Sequence, residues 1–130
     1  MSHFLVYPTE EIGKIMNRKV VTVRPDDAIR RAASLMEENN IGSVVVVQDS
    51  KPVGIVTERD FVRIVSRGQG SEAKVRDVMS VPPVTCESSR KVTDAFVIMA
   101  TKRINHLPIT QNGLLVGVVA ARDLLAATLV

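Results

Sequence analysis

The chain repeats itself. Laid over itself with a shift of 63 residues, it matches without a gap. A repeat of this length indicates two copies of one structural unit, related by an approximate two-fold axis. Such a pair would create a cleft between the copies, to which each copy offers the same residues. The identical pairs are Met16 with Met79, Val21-Thr22 with Val84-Thr85, Ala32 with Ala95, Met36 with Met99, Ile41 with Ile104, Gln48 with Gln111, Val53-Gly54 with Val116-Gly117, Val56 with Val119, and Arg59-Asp60 with Arg122-Asp123.

The length of 130 residues fits one domain, or two half-domains that cannot each bury enough surface alone. We expect a first repeat over residues 1–67, a linker over 68–74 and a second repeat over 75–130. Only one Tyr, three Phe and no Trp are present, so the core must be aliphatic. The single cysteine, Cys86, excludes an internal disulfide and a cysteine-based zinc cluster.

Charge and hydropathy limit the partners. The net charge is +3, but the Lys and Arg residues are scattered, which argues against nucleic-acid binding. Residues 1–4 lack the layout of a signal peptide, and the apolar run from Leu114 to Ala121 is too short to span a bilayer. We therefore expect a cytoplasmic protein that does not enter a membrane.

Each copy has the same predicted order: helix, strand, helix, strand, strand, helix. Apolar residues at i, i+3, i+4 and i+7 predict one buried face on the longer helix of each copy. Pro25-Asp26 or Ser88-Ser89 would form its N-cap, and Asn39-Asn40 or Lys102-Arg103 would end it. Asp49-Ser50 and Asn112-Gly113 predict tight hairpin turns. The predicted fold is α/β (α+β), with two small sheets facing each other across the pseudo-dyad and helices outside.

The segment from Gly54 to Asp60 has the groups that a nucleotide site needs. A glycine lets a ligand approach the backbone, and Thr57 at a helix N-cap suits a phosphate. The Asp60 carboxylate can accept both hydroxyls of a ribose diol, and the Arg59 guanidinium suits phosphate.

A capping box explains the same residues without a ligand, because Thr-x-x-Asp at a helix start can satisfy its own backbone. In the second copy Ala120 replaces the capping hydroxyl while Asp123 remains. Favourable charge at a helix N-terminus could still account for that carboxylate. Both interpretations stay open at this point.

Two sequence motifs in this chain resemble those of a known protein family. Gly54 to Asp60 matches Gly-h-x-Thr/Ser-x-x-Asp (h is apolar), and Ile104 to Ile109 matches a hydrophobic-x-x-Leu-Pro-hydrophobic strand. Together with the repeat, they resemble a tandem pair of CBS (cystathionine β-synthase) domains over nearly the whole chain. The resemblance implies a regulatory sensor of adenosine nucleotides, with AMP favoured over ADP and ATP, and commonly a homodimer.

The resemblance also implies site residues, each site being completed by the opposite copy. One site would use Thr57, Asp60 and Ile55 with Val84, Thr85, Asn105, His106 and Arg122. The mirror site would use Asp123 and Val118 with Val21, Thr22, Gly42, Ser43 and Arg59. Since Ala120 departs from the pattern and removes a hydrogen bond to phosphate, we expect the Asp60 site to bind more tightly.

Other functions remain as alternatives. The chain could be a structural or dimerisation module with empty clefts, or it could bind S-adenosylmethionine or nucleic acid. We expect no metal site, because His106 has no Cys, Asp or His at metal-ligand spacing. We also expect no enzyme activity and no catalytic residues, because the two repeats occupy nearly all of these 130 residues. The apolar residues from Leu124 to Val130 would close the core or form a dimer surface, and the regulated partner would be an unidentified enzyme or transporter.

Overall fold

A computed structural model describes residues 9–70 and 72–128, with side chains described as far as Leu124. The segment 1–4 and the apolar side chains beyond Leu124 lie outside this description. A short 3₁₀ turn (Ile12–Lys14) precedes the first set of elements, which are β1 (Thr22–Val23), α1 (Ile29–Asn39), β2 (Ser43–Gln48), β3 (Lys51–Thr57) and α2 (Glu58–Ser66). The second set is α3 (Val75–Val78), β4 (Cys86–Glu87), α4 (Val92–Lys102), β5 (His106–Gln111), β6 (Leu114–Ala120) and α5 (Ala121–Thr128). The predicted order of elements is confirmed.

The described strands form two three-stranded sheets of the same topology, β1-β2-β3 and β4-β5-β6. In each sheet the short first strand pairs in parallel with the second, which pairs antiparallel with the third. The register is also repeated, since Val46 lies opposite Gly54 and Ile109 lies opposite Gly117. The mixed α/β class and the duplicated sheet are thus confirmed.

Both hairpin turns have the backbone that their residues predict. Asp49 and Ser50 have φ values of 54° and 64°, and Asn112 and Gly113 have values of 52° and 82°. Positive φ at both central residues defines the type I′ turn, whose twist matches that of the flanking strands. The two predicted hairpins are confirmed.

The long helices end as predicted but begin later. Asn40 and Arg103 follow α1 and α4 in the left-handed conformation, which ends each helix. The predicted N-caps are wrong, because the N-cap residues are Ala28 and Lys91. The Asp27 carboxylate instead accepts the backbone N–H of Arg24 at 2.8 Å, so residues 24–27 form a turn rather than a first helical turn.

The chain divides into two compact units that do not coincide with the sequence repeats. One unit is Val20–Pro83, and the other joins Met1–Lys19 to Val84–Val130. Each repeat therefore gives its leading segment to the other repeat's sheet. In the first unit Val75 N–H donates to Asp27 O at 2.8 Å, and in the other Ile12 N–H donates to Arg90 O at 2.7 Å.

Each unit has an aliphatic core of its own. In Val20–Pro83, Val75 packs into a cluster with the β2 and β3 valines, and in the other unit Ile12 packs with Leu107 and Ile109. Val44, Val45 and Val46 are all at most 2% exposed, so residues on both faces of β2 are buried, as is typical of an uninterrupted run of valines in a strand. None of the helices in the described part of the chain has the length and apolar character that a membrane crossing requires.

Candidate functional site

The predicted site residues of the first repeat lie together at one edge of the β1-β2-β3 sheet. At this edge β1 and β2 begin and β3 runs into α2. Ser43 lies opposite Thr57, and the Glu58 N–H donates to Gly42 O at 3.2 Å. The residues gathered at this edge are Val21, Thr22, Gly42, Ser43, Ile55, Thr57, Arg59 and Asp60.

The predicted site residues of the second repeat lie at the equivalent edge of the β4-β5-β6 sheet. His106 lies opposite Ala120, and the Ala121 N–H donates to Asn105 O at 2.8 Å where β6 runs into α5. The residues at this edge are Val84, Thr85, Asn105, His106, Val118, Arg122 and Asp123. The structure thus brings the predicted residues together as two sets, one in each unit.

The motif glycines have a packing role. A Cβ atom on Gly54 would lie 2.5 Å from Sδ and 3.0 Å from Cγ of Met79, and one on Gly117 would collide with the Met16 side chain. Both methionines come from the leading segments described above. The interpretation that the glycine leaves room for a ligand is therefore corrected. The space beside each glycine is occupied by a methionine side chain from the leading segment of the other repeat.

The Asp60 carboxylate is buried and held by several donors. Its side chain is 2% exposed. Oδ2 accepts the Thr57 backbone N–H at 2.8 Å, and the Thr57 hydroxyl lies 3.4 Å from the same oxygen. Oδ1 lies 2.8 Å from Nη2 of Arg63 and accepts the Ser80 hydroxyl at 3.1 Å. The capping contact from Asp60 back to the N-cap, expected from sequence, is therefore present, together with two partners that the motif does not contain.

Arg63 and Ser80 connect α2 to the segment that follows α3. Besides its ion pair with Asp60, Arg63 donates from Nη2 to Val78 O at 2.8 Å. Sequence reasoning missed both residues. Arg63 could have been found from its i, i+3 spacing to Asp60 on a helix. Ser80 could not, because it is 20 residues from Asp60 and only the fold brings it close.

The second-repeat carboxylate has a different environment. Asp123 is exposed, and no residue of the described ranges donates a hydrogen bond to its side chain. The sequence explains the difference, since the positions that match Thr57, Arg63 and Ser80 hold Ala120, Ala126 and Asn17. The guanidinium-bearing side chains of Arg59 and Arg122 are both exposed.

A carboxylate outside the predicted site holds the second hairpin. The Glu87 side chain accepts the Thr110 hydroxyl, and it accepts the Asn112 backbone N–H at 2.9 Å. These bonds stabilise the ionised form, the Thr110 hydroxyl most strongly, and they lower the pKa of Glu87. Within residues 9–70 and 72–128, no cluster of side chains has the composition of a metal site.

Both sheets have the same topology, and in both the last strand carries a glycine and runs into a helix that carries an arginine and an aspartate. The chain is therefore a tandem α/β module with two equivalent sheets. The family model of the CBS domain matches the chain twice, over residues 12–67 and 75–129. The chain belongs to the CBS-domain family.

Several proteins are similar in sequence to this chain over most of its length. A protein of Methanopyrus kandleri is 41% identical over 118 residues, which is 88% of this chain and 60% of that protein. A CBS domain-containing protein of Bacillus subtilis is 37% identical, covering 84% of this chain and 79% of the relative. Inosine-5′-monophosphate dehydrogenase of Korarchaeum cryptofilum is 36% identical over 107 residues, but the match covers only 22% of that enzyme. The chain thus spans less than two thirds of some relatives.

Solved structures share the fold. A putative signal-transduction protein with CBS domains from Burkholderia ambifaria superposes with a TM-score of 0.85 at 29% identity, covering 92% of this chain and 94% of the other. A CBS domain protein from Pyrobaculum aerophilum, complexed with AMP, gives a TM-score of 0.83 at 26% identity, covering 88% and 89%. A structure similar to this chain over most of its length is therefore that of an AMP complex.

Proposed function

We propose that this chain is a regulatory module that binds an adenosine nucleotide, AMP in preference to ADP and ATP, and has no enzyme activity of its own. The observation that carries the proposal is the AMP complex of the similar Pyrobaculum aerophilum protein. The match to a dehydrogenase covers only 22% of that enzyme, which gives no support to catalysis by this chain.

The residues of the two sets provide the groups that a nucleotide requires. A motif carboxylate would accept the ribose diol, and a motif arginine, Arg122 or Arg59, would bind the phosphate. The first strands of the copies, at Thr22 and Thr85, would border the adenine. The remaining residues of each set, which include His106 and Asn105, would line the rest of the nucleotide site.

Regulation requires that the nucleotide bind two arrangements of the protein with different affinity, because a ligand shifts an equilibrium only by that difference. We propose a homodimer whose arrangement is read by a separate enzyme or transporter, in the cytoplasm. A monomer at high concentration in light scattering would contradict the homodimer.

Thermal melting with a nucleotide panel tests the proposal. AMP, ADP, ATP and S-adenosylmethionine are each added at millimolar concentration, with IMP as the control for the adenine base. A ligand at 100 times its Kd stabilises the folded state by about 2.7 kcal/mol. We expect AMP to raise the melting temperature most and IMP to leave it unchanged. If all five compounds have no effect, the chain is a structural module with no nucleotide site.

A further inference from the structure

The two motif aspartates differ in solvent exposure and in hydrogen bonding. Asp60 is 2% exposed and bonded on both carboxylate oxygens, whereas Asp123 is exposed and has no donor among the described residues. If both bound ribose, both would have to be available to it. The difference therefore bears directly on how many nucleotides the chain binds.

The acceptor capacity of Asp60 is already used. An ionised carboxylate has about four lone-pair positions. Arg63 and Ser80 occupy Oδ1, and the backbone N–H and hydroxyl of Thr57 are directed at Oδ2. A ribose diol could bind only by displacing donors, one of them charged, from a buried group. Because the hydroxyl of Thr57 has a single proton, its bond to Asp60 also competes with donation to a phosphate.

The side chains that donate hydrogen bonds to Asp60 are not repeated at the matching positions of the second copy's sequence. The matching positions are Ala120 for Thr57, Ala126 for Arg63 and Asn17 for Ser80. Neither alanine side chain carries a donor. The Asn17 side chain accepts the Lys19 backbone N–H at 2.9 Å through Oδ1. The side-chain donors that hold Asp60 are thus present in the first copy and missing from the matching positions of the second copy.

We propose that Arg63 and Ser80 withhold Asp60 from ligands, so that the chain binds one nucleotide, held by Asp123. This inference rests on the proposed function, and it reverses the ranking expected from the missing hydroxyl of Ala120. Asp60 is then a structural residue that fixes α2 to the segment after α3. Arg63 and Ser80 determine the stoichiometry without touching the nucleotide.

Isothermal titration with AMP tests the inference on the full chain. The wild type should bind one AMP per chain. Asp123→Asn removes the charge of an exposed side chain without a described donor, so it should fold normally and weaken binding about tenfold or more. The double variant Arg63→Met/Ser80→Ala should gain a second AMP per chain. Arg67→Met/Ser89→Ala, which changes the same residue types at exposed positions, is the matched control and should retain one site.

The outcomes of these titrations distinguish failure of this inference from failure of the proposed function. Two equal sites in the wild type, or unchanged affinity in Asp123→Asn, would overturn the inference while leaving the proposed function standing. If Arg63→Met/Ser80→Ala is too unstable to titrate, Ser80→Ala alone, which releases one acceptor of Asp60, should show a weak second site. Absence of binding in the wild type and in every variant would overturn the proposed function and this inference with it.

Discussion

Substituting Gly54 with alanine tests the packing of the exchanged segment. The new Cβ would lie 2.5 Å from Sδ, 3.0 Å from Cγ and 3.2 Å from Cβ of Met79. Met79 must leave its rotamer or the strand must shift, and overpacking of this kind costs about 1–3 kcal/mol. Alanine regains about 0.5–1 kcal/mol over glycine in a strand. We therefore expect a net loss of about 0.5–2 kcal/mol in the free energy of unfolding.

Urea unfolding followed by circular dichroism measures this loss. Gly70→Ala is the control, since the nearest heavy atom to its Cβ is 3.9 Å away, and it should change stability little. In a Met79→Ala background the Gly54→Ala substitution should cost much less, because the clashing Sδ and Cγ are gone. The coupling energy from the cycle should reach about 1 kcal/mol. Equal effects of Gly54→Ala and Gly70→Ala, or additive single and double variants, would refute the packing role of Gly54.

Two further predictions concern titratable groups. The lowered pKa of Glu87, caused first by the Thr110 hydroxyl, means that its contribution to stability is present above its ordinary value of 4.5 and is lost as the pH falls through the lowered pKa. Glu87→Gln should therefore be less stable than the wild type at pH 7, with the difference shrinking below about pH 4.5; a constant difference from pH 7 to pH 3 in urea unfolding would contradict this. Burial raises the pKa of Cys86, whose side chain is 3% exposed, so the folded protein should react slowly with a disulfide reagent at pH 8. Labelling as fast in buffer as in urea would show that Cys86 is accessible.

The sequence predicted most of the local structure. Helix ends at Asn40 and Arg103, the hairpin turns and the order of elements follow from periodicity and turn chemistry, which act over a few residues. The N-cap of α1 was misplaced because Asp27 satisfies the backbone of Arg24 in a turn, a local competition that the spacing of residues does not reveal.

The tertiary features could not be predicted. Exchange of the leading segments depends on where the two ends of each repeat meet, which a repeat in sequence does not specify. For the same reason Gly54 was interpreted as a ligand contact, when its neighbour is Met79. The capping box around Asp60 was one of the two interpretations that the sequence allows, but the hydrogen bond from Ser80, which the motif does not contain, could not be predicted.

Comparing AMP with 2′,3′-dideoxy-AMP by isothermal titration tests most directly whether a motif carboxylate holds the ribose. Loss of two hydrogen bonds to a charged group should weaken binding of the dideoxy compound about tenfold or more. In Asp123→Asn the two compounds should bind with similar, weak affinity. Equal binding of both compounds by the wild-type protein would contradict the proposed recognition of the diol.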